Sequence, residues 1–332
     1  MKFFRFLLSR LAVYISVIVI GVTIVFFVPR ALPSDPVEAM LARLLAQSDY
    51  MEPEAVAAIR GTLTETFGLE GSLASQYFGF FKRVLLTHDF GPSFSQYPIP
   101  VMELIGRALP WTMGLMMATI ALSWVIGNAI GLLAGFRKEK WYSKALESLS
   151  IVFYPIPYYI VALFLIIAFA HLIPIFPLAT SVRGRGLSFD HIKSILFNSF
   201  LPGLSMVVVG TGWWVISMKT LAGNMSEEDS VNFARLKGLS EHRIMMGYVM
   251  PASLLPQITS LALRIGGLFG GALVTEILFS YPGLGMLVYS GIAQNDYNLI
   301  MGAISISIVA VATATFIVDL LYPFVDPRIR YT

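Results

Sequence analysis

The chain of 332 residues contains no cysteine, so disulfides and thiolate metal sites are excluded outright. Charge is scarce as well: 13% of the residues are Asp, Glu, Lys or Arg against 56% hydrophobic ones, about half the share that a soluble domain of this size carries. Such a composition places the chain in a membrane. There is no Gly-Lys dipeptide, hence no phosphate-binding loop of the G-x-x-x-x-G-K-[ST] kind. H-E-x-x-H and G-x-S-x-G are absent too, which leaves a membrane-embedded enzyme without a catalytic constellation. The four histidines, His88, His171, His191 and His242, are scattered over different loops and span ends and offer no metal-ligand set. The two halves do not resemble each other and no paired acids fall at a span centre, so an ion-coupled secondary transporter, the rival class, gains no support.

What the chain has is apolar runs. A bilayer crossing needs about 20 residues, and such runs recur at 9–29, 108–135, 147–172, 200–222, 252–279 and 299–323, giving an expectation of six spans. The first follows Lys2, Arg5 and Arg10 as a signal peptide would, but it is too long and lacks a small-residue cleavage site, so it reads as a retained anchor. With the N-terminus inside, the short inner segments hold Lys2, Arg5, Arg10, Arg137, Lys138, Lys140, Lys144, Lys219, Arg235, Lys237, Arg243, Arg328 and Arg330, as the positive-inside rule asks. Both termini then face the cytoplasm. The net charge of +3 and pI near 9.0 follow from these clusters beside an anionic leaflet and call for no nucleic acid.

Three units follow: an N-terminal span (1–32), an extracytoplasmic region (33–106) and a core of five spans (107–332). In the second unit Asp35 is expected to cap a helix whose first turn takes Pro36. A second helical pattern runs from Pro53 to about Phe67 and a third starts at Ser72, before Gly91 and Pro92 end it. Between the fourth and fifth spans lies a charged loop, 226–250. There Ser226 is expected to cap a helix, with Asp229 completing a capping box, acidic residues at its start, Lys237 at its end and Gly238 stopping it. A second helix is expected from the Ser240 cap and Glu241 to about Val249, where Pro251 disturbs the backbone. On these residues alone, a rigid surface feature and an ordinary positive-inside loop are equally good readings.

"NFARLKGLSEHRIMMGYVMP" resembles the EAA loop of permease subunits from binding-protein-dependent ABC importers, whose pattern is Glu-Ala-Ala, three residues, Gly, nine residues, Ile-x-Leu-Pro. Asn232, Phe233 and Ala234 stand at the first three positions, Gly238 at the glycine, and Tyr248, Met250 and Pro251 at the last; spacing is kept while Glu, the first Ala, Ile and Leu are replaced. "LPSDP", "THDFGPS", "GGLFGGALVTEILFSYPGLG" and "DLLYPFVDPRIR" are similar to the dipeptide, oligopeptide and nickel class of these permeases. The resemblance implies an all-α integral membrane protein with a type I permease core. It also implies a coupling helix seated in a cytoplasmic ATPase through Asn232, Phe233, Ala234, Lys237, Gly238, Leu239, Ser240, Glu241, His242 and Arg243. The implied partners are a second permease, two ATPase subunits that bind ATP and Mg, and an extracytoplasmic solute-binding protein in a prokaryotic inner membrane; the chain itself needs no cofactor. Peptides, nickel complexes and oligosaccharides are all handled by this class.

Some residues remain open. Gly266 with Gly270 and Gly267 with Gly271 form overlapping G-x-x-x-G pairs, suited to internal helix packing or to a subunit interface. Glu276 is expected either exposed at the water interface or as a gate or binding-protein contact. Asp319, near the inner end of the last span, is expected to pair with a basic group. Arg264 falls midway along the fifth run, where a cation costs about 2.5–3.5 kcal/mol on insertion scales. It pairs structurally with another span or chain, or it lines a wet pathway and meets the solute.

Overall fold

The computed structural model describes residues 2–30, 36–46, 52–66, 68–87, 89–181, 188–266 and 273–325. Among them every regular element is helical, apart from an isolated bridge between Pro92 and Pro100. The chain opens with α1 (Lys2–Arg30), and α2 (Pro36–Ala46), α3 (Pro53–Thr66) and α4 (Leu73–Lys82) follow where the sequence places helices. Ser72 caps α4 by accepting from the Ser75 N–H at 3.3 Å; Asp35 lies outside the described residues. Next come α5 (Val101–Phe136), α6 (Trp141–Phe153), α7 (Tyr158–Ile166) with a π-helical turn Ile167–Leu172, and the long α8 (Phe189–Met225). Two short helices, α9 (Asp229–Leu236) and α10 (Glu241–Ile244), lead through a π-helical turn, Met245–Val249, into α11 (Met250–Gly266). The last three are α12 (Leu273–Leu278), α13 (Leu284–Ala293) and α14 (Tyr297–Val325).

Among the described residues four stretches are long and apolar enough to cross a bilayer: Phe4–Val28, Val101–Phe136, Phe189–Met225 and Tyr297–Leu320. A fifth requires α6 and the segment Tyr158–Leu172 to act as one, and these meet at a 94° bend. The expectation of one continuous span over 147–172 is therefore corrected. Pro155 and Pro157 have no N–H to donate to a helix; Tyr154 still holds helical angles and Pro157 is extended, so the helix ends at Phe153 and restarts at Tyr158. The remaining expected span, 252–279, is helical in α11 and α12, with residues 267–272 between them outside the described residues.

In lipid, apolar faces gain little by meeting each other, and helices associate through close packing. The tightest seam joins α5 and α8. Gly127, Gly131 and Gly135 recur every fourth residue on α5, and a Cβ on Gly131 would sit 2.7 Å from both the Met218 Cβ and the Val215 carbonyl oxygen. A Cβ on Gly135 would reach the Ala222 Cβ at 2.9 Å. This G-x-x-x-G-x-x-x-G run, which sequence reasoning missed, brings the two backbones into contact. α1 lies along α14, with Tyr14 and Thr313 hydroxyls 3.1 Å apart and Arg10 paired to Asp319 at 3.1 Å, so Asp319 finds its basic partner on the first helix. Arg30, at the other end of α1, stacks 3.7 Å over Phe26 and reaches Gln76 of α4 at 3.4 Å.

Candidate functional site

The helix pair between α8 and α11 is anchored from below. Val231 and Ala234 of α9, Ile244 of α10, and Met245 and Val249 of the π-turn are buried against Leu132, Phe136, Met218 and Ala222, the adjoining ends of α5 and α8. Gly238 holds φ +78 between the helices, a left-handed conformation with open space where a Cβ would stand, so backbone geometry and not crowding selects glycine there. Ser240 caps α10 as expected, accepting from the Arg243 N–H at 3.4 Å. Ser226 does not cap α9. Its backbone finishes α8, its hydroxyl donates back to the Gly223 carbonyl at 2.7 Å, and Glu228 stands at the cap without a side-chain bond. The helix of α8 runs on to Met225, so the chain has not yet left helix when it reaches the serine.

Electrostatics tie the pair to its surroundings. Arg235 bonds the Ser226 carbonyl at 3.2 Å and pairs with Glu241 at 3.5 Å, bracing α9 against α10. Lys138, beyond α5, pairs with Glu227; the hydrogen bond between them raises the lysine pKa and lowers that of the glutamate. Lys219 of α8 meets Glu147 of α6 at 2.5 Å. With the pair held in this way, Asn232, Phe233, Lys237, Ser240, Glu241, His242 and Arg243 face outward, Leu239 is half-buried and Ala234 is buried. Phe233 and Leu236 project as an apolar knob, 58% and 86% exposed, with the Lys237 ammonium 4.5 Å over the Phe233 ring. Leu236 escaped sequence reasoning because only the pattern positions were weighed.

Glu276 is fully enclosed, which corrects the expectation of exposure at the water interface. The turn after α12 sends α13 back so that its first N–H groups, which have no partner in their own helix, meet this carboxyl. The Gly285 N–H donates to Oε2 at 2.6 Å, the Thr112 hydroxyl of α5 donates to Oε1 at 2.7 Å, and Thr112 accepts from the Leu284 N–H at 2.8 Å. A Cβ on Gly283 or Gly285 would run into the carboxyl. Glu276 and Thr112 thus cap α13 from two other helices, with the acidic group at the positive end of its dipole.

Asp296 is a second enclosed carboxyl, missed in the sequence although an Asn-Asp pair before an apolar run is a cap signal. It accepts from the Leu299 N–H at 3.0 Å, starting α14, and from the Ser93 hydroxyl at 2.5 Å and the Ser95 N–H at 2.9 Å. The "GPSFS" segment is pinned to the last helix in this way.

Arg264, in the last turn of α11, is exposed, and its guanidinium lies 4.4 Å from the Trp213 ring centre and 5.3 Å from that of Trp214. Its partner is thus an aromatic pair on α8, and it shares no contact with the Glu276 clamp. Gly266 closes α11, while Gly267, Gly270 and Gly271 lie outside the described residues. Among the described residues no three His, Asp or Glu side chains gather as a metal site.

The described helices are those of a multi-pass membrane protein. The chain belongs to the family described as binding-protein-dependent transport system inner membrane component, whose model matches residues 127–331, and the corresponding N-terminal model matches residues 3–116. It is 30% identical over 317 residues to the oligopeptide transport system permease protein AppB of Bacillus subtilis, covering 95% of this chain and 96% of that one. It is 27% identical to the dipeptide transport system permease protein DppB of the same organism, covering 98% of both chains. With the oligopeptide transport system permease protein OppB of Escherichia coli K12 it shares 28% identity, covering 98% of this chain and 99% of that one. The chain is a permease subunit of a binding-protein-dependent ABC importer.

Proposed function

We propose that this chain forms, with a second permease of the same family, the passage for a peptide-like solute handed over by a solute-binding protein, and that the pair α9–α10 is the coupling helix of an EAA loop seated in an ATPase subunit. The names of the similar permeases support a peptide cargo. Two ATPase subunits bind ATP and Mg; this chain needs no cofactor. The bundle crosses the inner membrane six times with both termini in the cytoplasm. The region 33–106 lies outside as a platform for the binding protein, and Glu276 acts as a gate element whose capping bonds exchange when the passage opens.

The observation that carries the coupling assignment is the apolar knob on a braced base: Phe233 and Leu236 stand in solvent while Val231 and Ala234 beneath them are fully packed. Covering a side chain of that kind is worth about 1.5–3 kcal/mol, a gain that waits for a partner surface. The chain has no cysteine, so Ser240→Cys is a unique probe in the assembled importer. It crosslinks to an ATPase subunit carrying a cysteine in the facing cleft; crosslinking to no ATPase position, in a complex that transports, refutes the docking.

A further inference from the structure

Two features that lipid does not tolerate meet at one depth. Trp213 sits about the middle of the apolar run 200–222, and the Arg264 guanidinium rests on it there, within the span Phe189–Met225. The break between α6 and α7 is at the same level. A Cβ on Gly212 would stand 3.0 Å from the Ser150 carbonyl oxygen and 3.3 Å from the Tyr154 nitrogen. Tyr154, Pro155 and Pro157 of that break are exposed, and a Cβ on Gly212, next to Trp213, would stand 3.3 Å from the Tyr154 Cβ. Non-helical backbone at membrane depth occurs where it is buried in protein or lines a watery cavity, and a mid-span cation faces a bundle interior, water or an anion. One watery space bordered by both the cation and the break would meet both requirements.

The chemistry of that space follows from Arg264. Its ring-facing side is taken by Trp213, and among the described residues no acid bonds it. A guanidinium stacked on an aromatic face keeps its N–H edge free, and that planar fork matches the two oxygens of a carboxylate. We infer that Arg264, oriented by Trp213 and flanked by Tyr154 at the α6–α7 break, is a carboxylate-binding subsite of the translocation path, reading the terminal carboxylate of the peptide in transit. This rests on the peptide-import reading above and adds to it the group that is read.

The test is uptake by the complete importer in proteoliposomes, using di- to penta-alanine with a free C-terminal carboxylate against the same peptides as C-terminal amides. The binding protein is common to all arms, so the carboxylate-to-amide ratio for wild type divided by that for Arg264→Gln isolates the membrane step. Loss of one charge-assisted paired contact is worth about tenfold, and Arg264→Lys, which keeps the charge without the fork, is expected to fall between. An unchanged ratio in an assembled Arg264→Gln importer overturns the subsite while leaving peptide import standing. A complex that fails to assemble with Gln, whether or not Lys restores it, makes Arg264 a structural ion pair with another subunit and overturns it too. The subsite is equally refuted if the ratio is indifferent to the variant but uptake tracks anionic lipid, since the anion is then a headgroup. If the wild type imports neither peptide series, the cargo reading itself is wrong and the subsite falls with it.

Discussion

Replacing Thr112 by valine removes one oxygen from the α5–α12–α13 clamp while keeping the shape of the side chain. Thr112 is 2% exposed and its hydroxyl both donates to Glu276 at 2.7 Å and accepts from the Leu284 N–H at 2.8 Å. Valine therefore deprives the carboxyl of one donor and strands a buried N–H at the start of α13. A bond to a carboxylate is worth about 1.5–3 kcal/mol and an unpaired buried donor costs about 1–3 kcal/mol. Because the two losses overlap, about 3 kcal/mol is expected for the change. At roughly 2–4 °C per kcal/mol, the melting temperature of the detergent-purified complex should fall by about 6–12 °C. Thr112→Ser keeps both bonds and gives up one methyl, worth about 0.8 kcal/mol, so it should fall by no more than a third as much. A valine variant that melts with the wild type, or a serine variant that melts with the valine one, refutes the capping account of Glu276.

Other positions give sharper functional readouts. Leu236→Asp, at the 86% exposed tip of the knob, should weaken ATPase association by roughly 30-fold or more, the equivalent of about 2 kcal/mol, measured by co-purification at graded detergent dilution; wild-type retention would exclude the knob from the interface. Gly238→Val forces a β-branched residue into φ +78, at a cost of about 1–2 kcal/mol, and should leave the protein inserted but unable to couple ATP hydrolysis to uptake; normal uptake contradicts this. Asp296→Asn should loosen the segment around Ser93 and Ser95 and speed its cleavage by added protease, while unchanged cleavage speaks against the pin. The half-exposed Arg10–Asp319 pair should show a coupling of no more than about 1 kcal/mol in a double-mutant cycle on thermal stability; a much larger value would mean that α1 is held chiefly by charge.

What was legible beforehand was local. Ser72 and Ser240 announce their helices because a cap acts within three residues, and Gly238 announces a left-handed stop for the same reason. Asp319 is found by a basic residue more than 300 positions away, yet its need for one was clear from its place in an apolar run. Local signals mislead where two compete: Ser226 has the residue type of a cap, but α8 reaches it still helical. The burial of Glu276 was not readable, because its partners Thr112 and Gly285 converge only after α12 and α13 fold back on α5. The α6–α7 break was present in the sequence as two prolines at Pro155 and Pro157 and was overridden by the apolar run around them. The glycine row of α5 was visible as spacing, but its meaning depends on α8 lying opposite.

The central claim, that this chain is the membrane part of an importer driven by ATP hydrolysed elsewhere, is tested most directly by peptide uptake into proteoliposomes holding both permeases, the ATPase subunits and the binding protein. Uptake should require ATP, the binding protein and a hydrolysis-competent ATPase, and should stop when the ATPase carries a dead catalytic site. Accumulation driven by a proton or sodium gradient in liposomes without any ATPase would contradict it.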